Sequence, residues 1–273
     1  MPRFDAQRFR LLISITKTVI QTYDSFLIAR QNSRQPPTPT SSTPSITIPH
    51  NNRTLEAVFT TPPAPSAAIL LFHGISDRLI YWQSVQTLLA QHNIASLIFH
   101  YSGYGKSTGA TTPHNLRQDA QAAYATLRSL IPPFTPIHLL GFSLGSGVAT
   151  DSAPHLTPPP AGLILCQSFN SLRLASAALV HAALSPLMPD IWQTHRTIAD
   201  VRLPLLIVHG DADELFPSSM ALQIEATAKA HSRHSVQLVQ PKGFTHSQPY
   251  SRPTLDYWQP IIDFVLHTPT SEG

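Results

Sequence analysis

The sequence predicts an α/β fold: a mainly parallel sheet of about eight strands, helices on both of its faces and a short helical lid. Three observations carry this. Short runs such as AAILLF, GLILC and PLLIV are apolar throughout, as strands covered on both faces are. Longer segments with apolar residues at helical spacing separate them. Glycine, serine and acidic residues gather just after several runs, where sheets of this kind place their sites.

Residues 1–33 hold the stretch RFRLLISITKTVIQTYDSFLI, in which Leu12, Ile15, Val19, Tyr23 and Phe26 recur at helical spacing and predict an amphipathic helix. Lys17 interrupts the stretch, which falls short of the roughly 20 apolar residues of a bilayer span. No small-x-small cleavage site follows, so a signal peptide is not expected. The helix either docks on its own domain or lies as a peripheral contact on an anionic membrane surface. Residues 34–45, RQPPTPTSSTPS, form a Pro/Ser/Thr linker. The main domain is expected over residues 46–268, with a tail at 269–273.

Within that domain, SITIP and TLEAVFTT flank the turn residues HNNR and predict a hairpin. AAILLFHG is a buried strand, and YWQSVQTLLAQHN has the period of a helix. ASLIFHY is the next strand and HNLRQDAQAAYATLRSLI the next helix, with Asn115 as its expected N-cap. PIHLLGF is a strand, followed by a small-residue helix from Leu144 to about Ala153. GLILCQSF, PLLIVHG and SVQLVQ complete the strands, and MALQIEATAKA and TLDYWQPIIDFVLH are the last helices. Between GLILCQSF and PLLIVHG lies the expected lid insertion, about 170–202, rich in Ala, Leu, Met and Trp. Roughly thirty residues are long enough for a couple of helices, not for a large cap domain.

Composition narrows the function classes. Of the net charge of +3, the whole positive excess sits in residues 1–35, where Arg3, Arg8, Arg10, Lys17, Arg30 and Arg34 face only Asp5 and Asp24. The body is near neutral, which argues against a nucleic-acid surface. The single cysteine, Cys166, lies in an apolar run and predicts a buried inert thiol. No metal-binding or cofactor motif appears, so neither is expected. The expected location is the cytoplasm, with membrane contact through residues 1–33 as the alternative.

The strand PIHLLGF runs into Gly141-Phe142-Ser143-Leu144-Gly145, a G-x-S-x-G turn. Between an apolar strand and a small-residue helix, this pattern places a nucleophilic serine on a sharp elbow, where a Cβ at either glycine would collide with its neighbours. A serine needs a base, and with 14 histidines in the chain only position selects one. His246 lies in PKGFTHSQP, just past the strand SVQLVQ. His231 and His234 precede that strand, and His267 ends the last helix. The base in turn needs an acid. The strand PLLIVHG ends at Asp211, Asp213 and Glu214, and spacing alone leaves Asp211 and Asp213 both open. Glu214 is expected to face water. Backbone N–H groups of Ile75, after the strand AAILLFHG, and of Leu144, at the helix start, are the expected oxyanion hole. His73 is expected to shape its loop.

From about residue 45 to 268 the chain resembles the α/β-hydrolase superfamily, nearest to its serine-aminopeptidase-like and monoacylglycerol-lipase-like branch. The matching pieces are FHG at 72–74, YSGYGKSTG at 101–109, GFSLGS at 141–146, HGDADELFP at 209–217 and GFTH at 243–246. In that branch the pattern H-G-x-x-D carries the catalytic aspartate in its fifth place, which implies Asp213. Ser102 stands where arginine is common, and Phe244-Thr245 puts bulk beside the base. The resemblance implies a carboxylesterase- or lipase-like serine hydrolase with a Ser143–Asp213–His246 triad. Its substrate would be an ester or thioester of small to medium size, cleaved through an acyl-enzyme. Two alternatives stay open. One is an aminopeptidase or amidase using Asp211 and Glu214 to hold a substrate ammonium. The other is a non-catalytic binding protein on a hydrolase fold.

Overall fold

The computed structural model describes residues 45–75, 77–179 and 190–268. The expected N-terminal helix over 1–33, the linker up to residue 44, the centre of the lid and the tail at 269–273 lie outside the described residues. The first hairpin joins β1 (Ser45–His50) to β2 (Arg53–Thr60), antiparallel around Asn51 and Asn52. Asn51 takes a left-handed φ of 52°, which a short polar side chain tolerates better than most. Six further strands follow: β3 (Ala67–Phe72), β4 (Ile94–Phe99), β5 (Ile137–Phe142), β6 (Gly162–Cys166), β7 (Leu205–Val208) and β8 (Val236–Val239).

The eight strands form one sheet in the order β1-β2-β4-β3-β5-β6-β7-β8. β2 pairs antiparallel with β4, and every pair from β4 to β8 is parallel. The strands from β3 to β7 are buried along their whole length, whereas β1 and β8, at the edges, are partly exposed. The pleat sorts side chains between two cores: Ala68, Leu70 and Phe72 of β3 enter one, Ala67, Ile69 and Leu71 the other.

Helices α1 (Gln83–Gln91), α2 (Pro113–Leu130), α3 (Leu144–Ser152), α4 (Leu172–Leu179), α5 (Thr194–Thr197), α6 (Ser218–His231), α7 (Gln248–Ser251) and α8 (Leu255–His267) fill the connections. Buried residues of α2, α3 and α6 pack in the first core, those of α1 and α8 in the second. The short α7 is an element that the sequence pattern does not announce.

One boundary differs from expectation. The N-cap of α2 is Thr112, not Asn115: the Thr112 hydroxyl accepts the Asn115 N–H at 3.1 Å, and Pro113 occupies the first helical position. Proline fits there because its missing N–H would have had no partner in the helix anyway. The described ends of the lid pack into the first core. Leu172, Ala175, Trp192 and Ile198 are all buried in the first core, and the Trp192 side chain covers Gly147 so closely that a Cβ there would lie 2.7 Å from it.

Candidate active site

The turn between β5 and α3 holds Ser143 at φ 51°, ψ −119°, a sparsely populated backbone region costing on the order of 1–3 kcal/mol. Three hydrogen bonds hold it there. The Ser143 N–H donates to the Cys166 carbonyl at 3.0 Å, and the Ser143 carbonyl accepts the Ser146 N–H at 2.9 Å and its hydroxyl at 2.6 Å. The flanking glycines are steric requirements. A Cβ on Gly141 would lie 2.4 Å from the Gly145 carbonyl oxygen, and one on Gly145 would lie 2.0 Å from that of Phe72. The start of α3 is thus pressed against the end of β3, and Leu144 lies beside the loop that carries Ile75.

That loop is clamped from two sides. The Asp77 carboxylate accepts the Gly74 N–H at 2.8 Å and the Trp82 indole N–H at 3.1 Å. His73 places Nδ1 2.7 Å from the Gly74 carbonyl oxygen, a contact that only a protonated Nδ1 can make. Since C=O and N–H point oppositely across a trans peptide, the Ile75 N–H is aimed away from the His73 ring. Leu144 is the first residue of α3, so its N–H has no acceptor within the helix. His73 shapes the loop, as its position suggested. Asp77 was not singled out in the sequence, although His73-Gly74-Ile75-Ser76-Asp77 repeats the H-G-x-x-D spacing of 209–213. Burial pushes its carboxyl above the usual range, partly offset by the Gly74 and Trp82 hydrogen bonds and by the nearby His246.

His246 follows β8 and is buried to 7% exposure between the rings of Phe142 and Phe216, at centroid distances of 5.2 and 5.1 Å. Its Nδ1 lies 2.9 Å from Asp213 Oδ2, and that carboxylate is only 1% exposed. The other oxygen, Oδ1, accepts the N–H groups of Leu215 and Phe216 at 2.8 and 2.9 Å. Burial by itself would raise the Asp213 carboxyl, but the His246 charge and hydrogen bond, with the Phe216 N–H, hold it below its ordinary value. An ionised carboxylate only accepts, so Nδ1 carries the His246 proton donated to it.

The three acids after β7 therefore separate. Asp213 meets the His246 ring. Asp211 Oδ1 accepts the Gly243 N–H at 2.6 Å, and Glu214 Oε2 accepts the His246 N–H at 2.9 Å. Glu214 is exposed, as expected, yet it does more than face water: it ties down the backbone of His246. His209 is fully buried at the end of β7, with Nε2 on the Phe216 carbonyl at 2.9 Å. His231 and His267 bond carbonyls of their own helices. Cys166 is buried, and burial pushes its thiol up to about 12.

Comparisons with known proteins agree with this architecture. The family model described as Serine aminopeptidase, S33, matches residues 63–198. An uncharacterized protein of Mycobacterium tuberculosis is 33% identical over 174 residues, covering 62% of this chain and 60% of the relative. The lysophosphatidylserine lipase ABHD12 of Danio rerio is 26% identical over 233 residues, covering 75% of this chain and 59% of the relative. The chain thus spans about three fifths of the length of these curated relatives. Among solved structures, the Pyrococcus furiosus esterase Pf2001 superimposes with a TM-score of 0.67 at 16% identity, over 82% of this chain and 91% of its own. A soluble variant of monoglyceride lipase from Saccharomyces cerevisiae gives 0.64 at 13% identity, over 86% and 99%. At those identities the likeness speaks for the fold alone. The chain has the α/β-hydrolase fold, and over residues 63–198 it is similar to the serine aminopeptidase S33 family.

Proposed function

We propose that this chain is a serine hydrolase that cleaves an ester or thioester of small to medium acyl size through an acyl-enzyme. The observation that carries the reading is the 2.9 Å contact between His246 Nδ1 and the buried Asp213 carboxylate, at the same carboxyl-terminal end of the parallel strands as the elbow serine. With Nδ1 holding a proton, Nε2 is the basic nitrogen. Ser143 Oγ attacks the substrate carbonyl while His246 Nε2 takes its proton. The negative charge that develops on the carbonyl oxygen is met by the Ile75 and Leu144 N–H groups. The protonated imidazole, stabilised by Asp213, gives its proton to the departing alcohol or thiol. Water then attacks the acyl group by the same route and releases the acid. No cofactor is called for.

An ester is favoured over a peptide by what the remaining acids do. An aminopeptidase on this site would direct Asp211 or Glu214 to a substrate ammonium, whereas both are engaged with backbone N–H groups of the His246 loop. The lipase names among the relatives and neighbours support a monoacyl lipid ester within the proposed class. Ser143→Ala should abolish both labelling by a fluorophosphonate probe and hydrolysis of p-nitrophenyl esters. Undiminished labelling of that variant would overturn the assignment. Faster turnover of aminoacyl anilides than of acyl esters by the unaltered chain would shift the reading to a peptidase.

A further inference from the structure

The last residue of β6, Cys166, accepts the Ser143 N–H through its carbonyl. The next residue, Gln167, is fully buried and takes a left-handed φ of 47°. That conformation is uncommon for a side chain of this kind. Its backbone N–H still continues the sheet, donating to the Val208 carbonyl at 3.1 Å. The turn leaves the side chain between two loops. Gln167 Oε1 accepts the N–H of Gly210 at 2.7 Å, at the start of the acid-bearing turn. Gln167 Nε2 donates to the carbonyl of Thr245 at 3.2 Å, one residue before His246. The loops meet at the same place, since a Cβ on Gly210 would lie 2.3 Å from the Phe244 carbonyl oxygen.

The partners fix what this residue has to be. One is an N–H and needs an acceptor; the other is a C=O and needs a donor. A primary amide supplies both from one planar group, and Gln has the reach that Asn lacks by one methylene. We infer that Gln167 is a positioning residue of the proposed reaction: it joins the Asp213 turn to the His246 loop and sets the carboxylate–imidazole contact. This rests on the hydrolase reading above. The positioned groups are those whose small displacement is costly, since about 1 Å of misplacement can lower a rate on the order of 100-fold.

The test uses the full chain and two variants, Gln167→Met, which keeps length and removes both polar atoms, and Gln167→Asn, which keeps the amide and loses the reach. Turnover of p-nitrophenyl butyrate gives kcat and KM. The His246 titration is followed by NMR on 15N-histidine protein and assigned with His246→Gln. A looser Asp213 contact lowers the imidazole midpoint by roughly one unit, and kcat should fall by about 10- to 100-fold with KM nearly constant. A residue that only satisfies buried backbone groups would move the thermal midpoint alone. Should Gln167→Met not fold, Gln167→Asn decides by the same two readouts. A folded variant with kcat within about twofold of the parent and an unmoved His246 midpoint overturns the inference. Failure of the hydrolase reading shows separately, as a parent chain with no turnover and no Ser143 labelling, while the His246 titration still judges Gln167.

Discussion

At the scale of single residues, the region after β7 shows how one turn divides three carboxylates. Asp213 is desolvated and bonded to the imidazole, while Asp211 and Glu214 stay exposed and hold backbone N–H groups of the His246 loop. Asp213→Asn should therefore lower kcat by about 10⁴-fold, because an amide can stabilise the wrong imidazole tautomer. Asp211→Asn and Glu214→Gln keep an acceptor for the same N–H and should cost less than about tenfold. Steady-state kinetics on one p-nitrophenyl ester compares all three. The Asp213 carboxyl also couples folding to pH. Its folded pKa lies below the ordinary 3.8, so the stability it contributes is complete above the unfolded value. That stability is lost as pH falls through the folded one. Between the parent and Asp213→Asn, the difference in urea midpoint should shrink as pH is lowered below about 4. A constant difference would refute the coupling.

Spacing located this turn but left Asp211 and Asp213 both open, and only the H-G-x-x-D resemblance implied Asp213. His73-Gly74-x-x-Asp77 and His209-Gly210-x-x-Asp213 share one spacing, yet Asp77 folds back onto the Gly74 N–H while Asp213 reaches another loop. Spacing does not encode that difference. It depends on which neighbour waits opposite each turn, and for Asp213 the neighbour is 33 residues away.

At the scale of elements, the strand–elbow–helix unit was legible because G-x-S-x-G sits between an apolar strand and a small-residue helix. The structure adds why the second glycine is needed: α3 begins against the carbonyl of Phe72 on the neighbouring strand. Gly145→Ala cannot relax by moving a flexible side chain, since the obstacle is backbone. It should destabilise the fold by about 3 kcal/mol or more, read as a lowered urea midpoint at unchanged m-value. An unshifted midpoint would show that α3 can slide. The cap of α2 was misplaced by three residues for the opposite reason. Asn115 and Thr112 are both good capping types, and only the position of Pro113 relative to the first turn separates them.

At the scale of the whole molecule, the parallel strands bring Ser143, Asp213, His246 and the Ile75 loop to their common carboxyl-terminal end, although 171 positions separate Ile75 from His246. Among the described residues no helix is long and apolar enough to cross a membrane. The basic arm formed by residues 1–35 carries the chain's positive excess. If that arm lies on anionic lipid, the full chain should co-sediment with phosphatidylserine vesicles, less so at high salt, and a chain beginning at residue 36 should not. Equal sedimentation of the two would assign the arm to the domain itself.

What the sequence determined by itself was the architecture and the list of candidate groups. Continuous apolar strands separated by helical periods admit few folds, and turns with strict steric needs leave visible glycines. What the tertiary structure decided was how those groups are oriented and held: Asp213 rather than Asp211 on the imidazole, Glu214 on its backbone, Asp77 under the Ile75 loop and Gln167 between the two loops. Those choices are made by hydrogen bonds between segments far apart in the chain. Apart from Asp213, which the H-G-x-x-D resemblance implied, no local pattern reports them, because each depends on a partner that only the folded sheet brings within 3 Å or so.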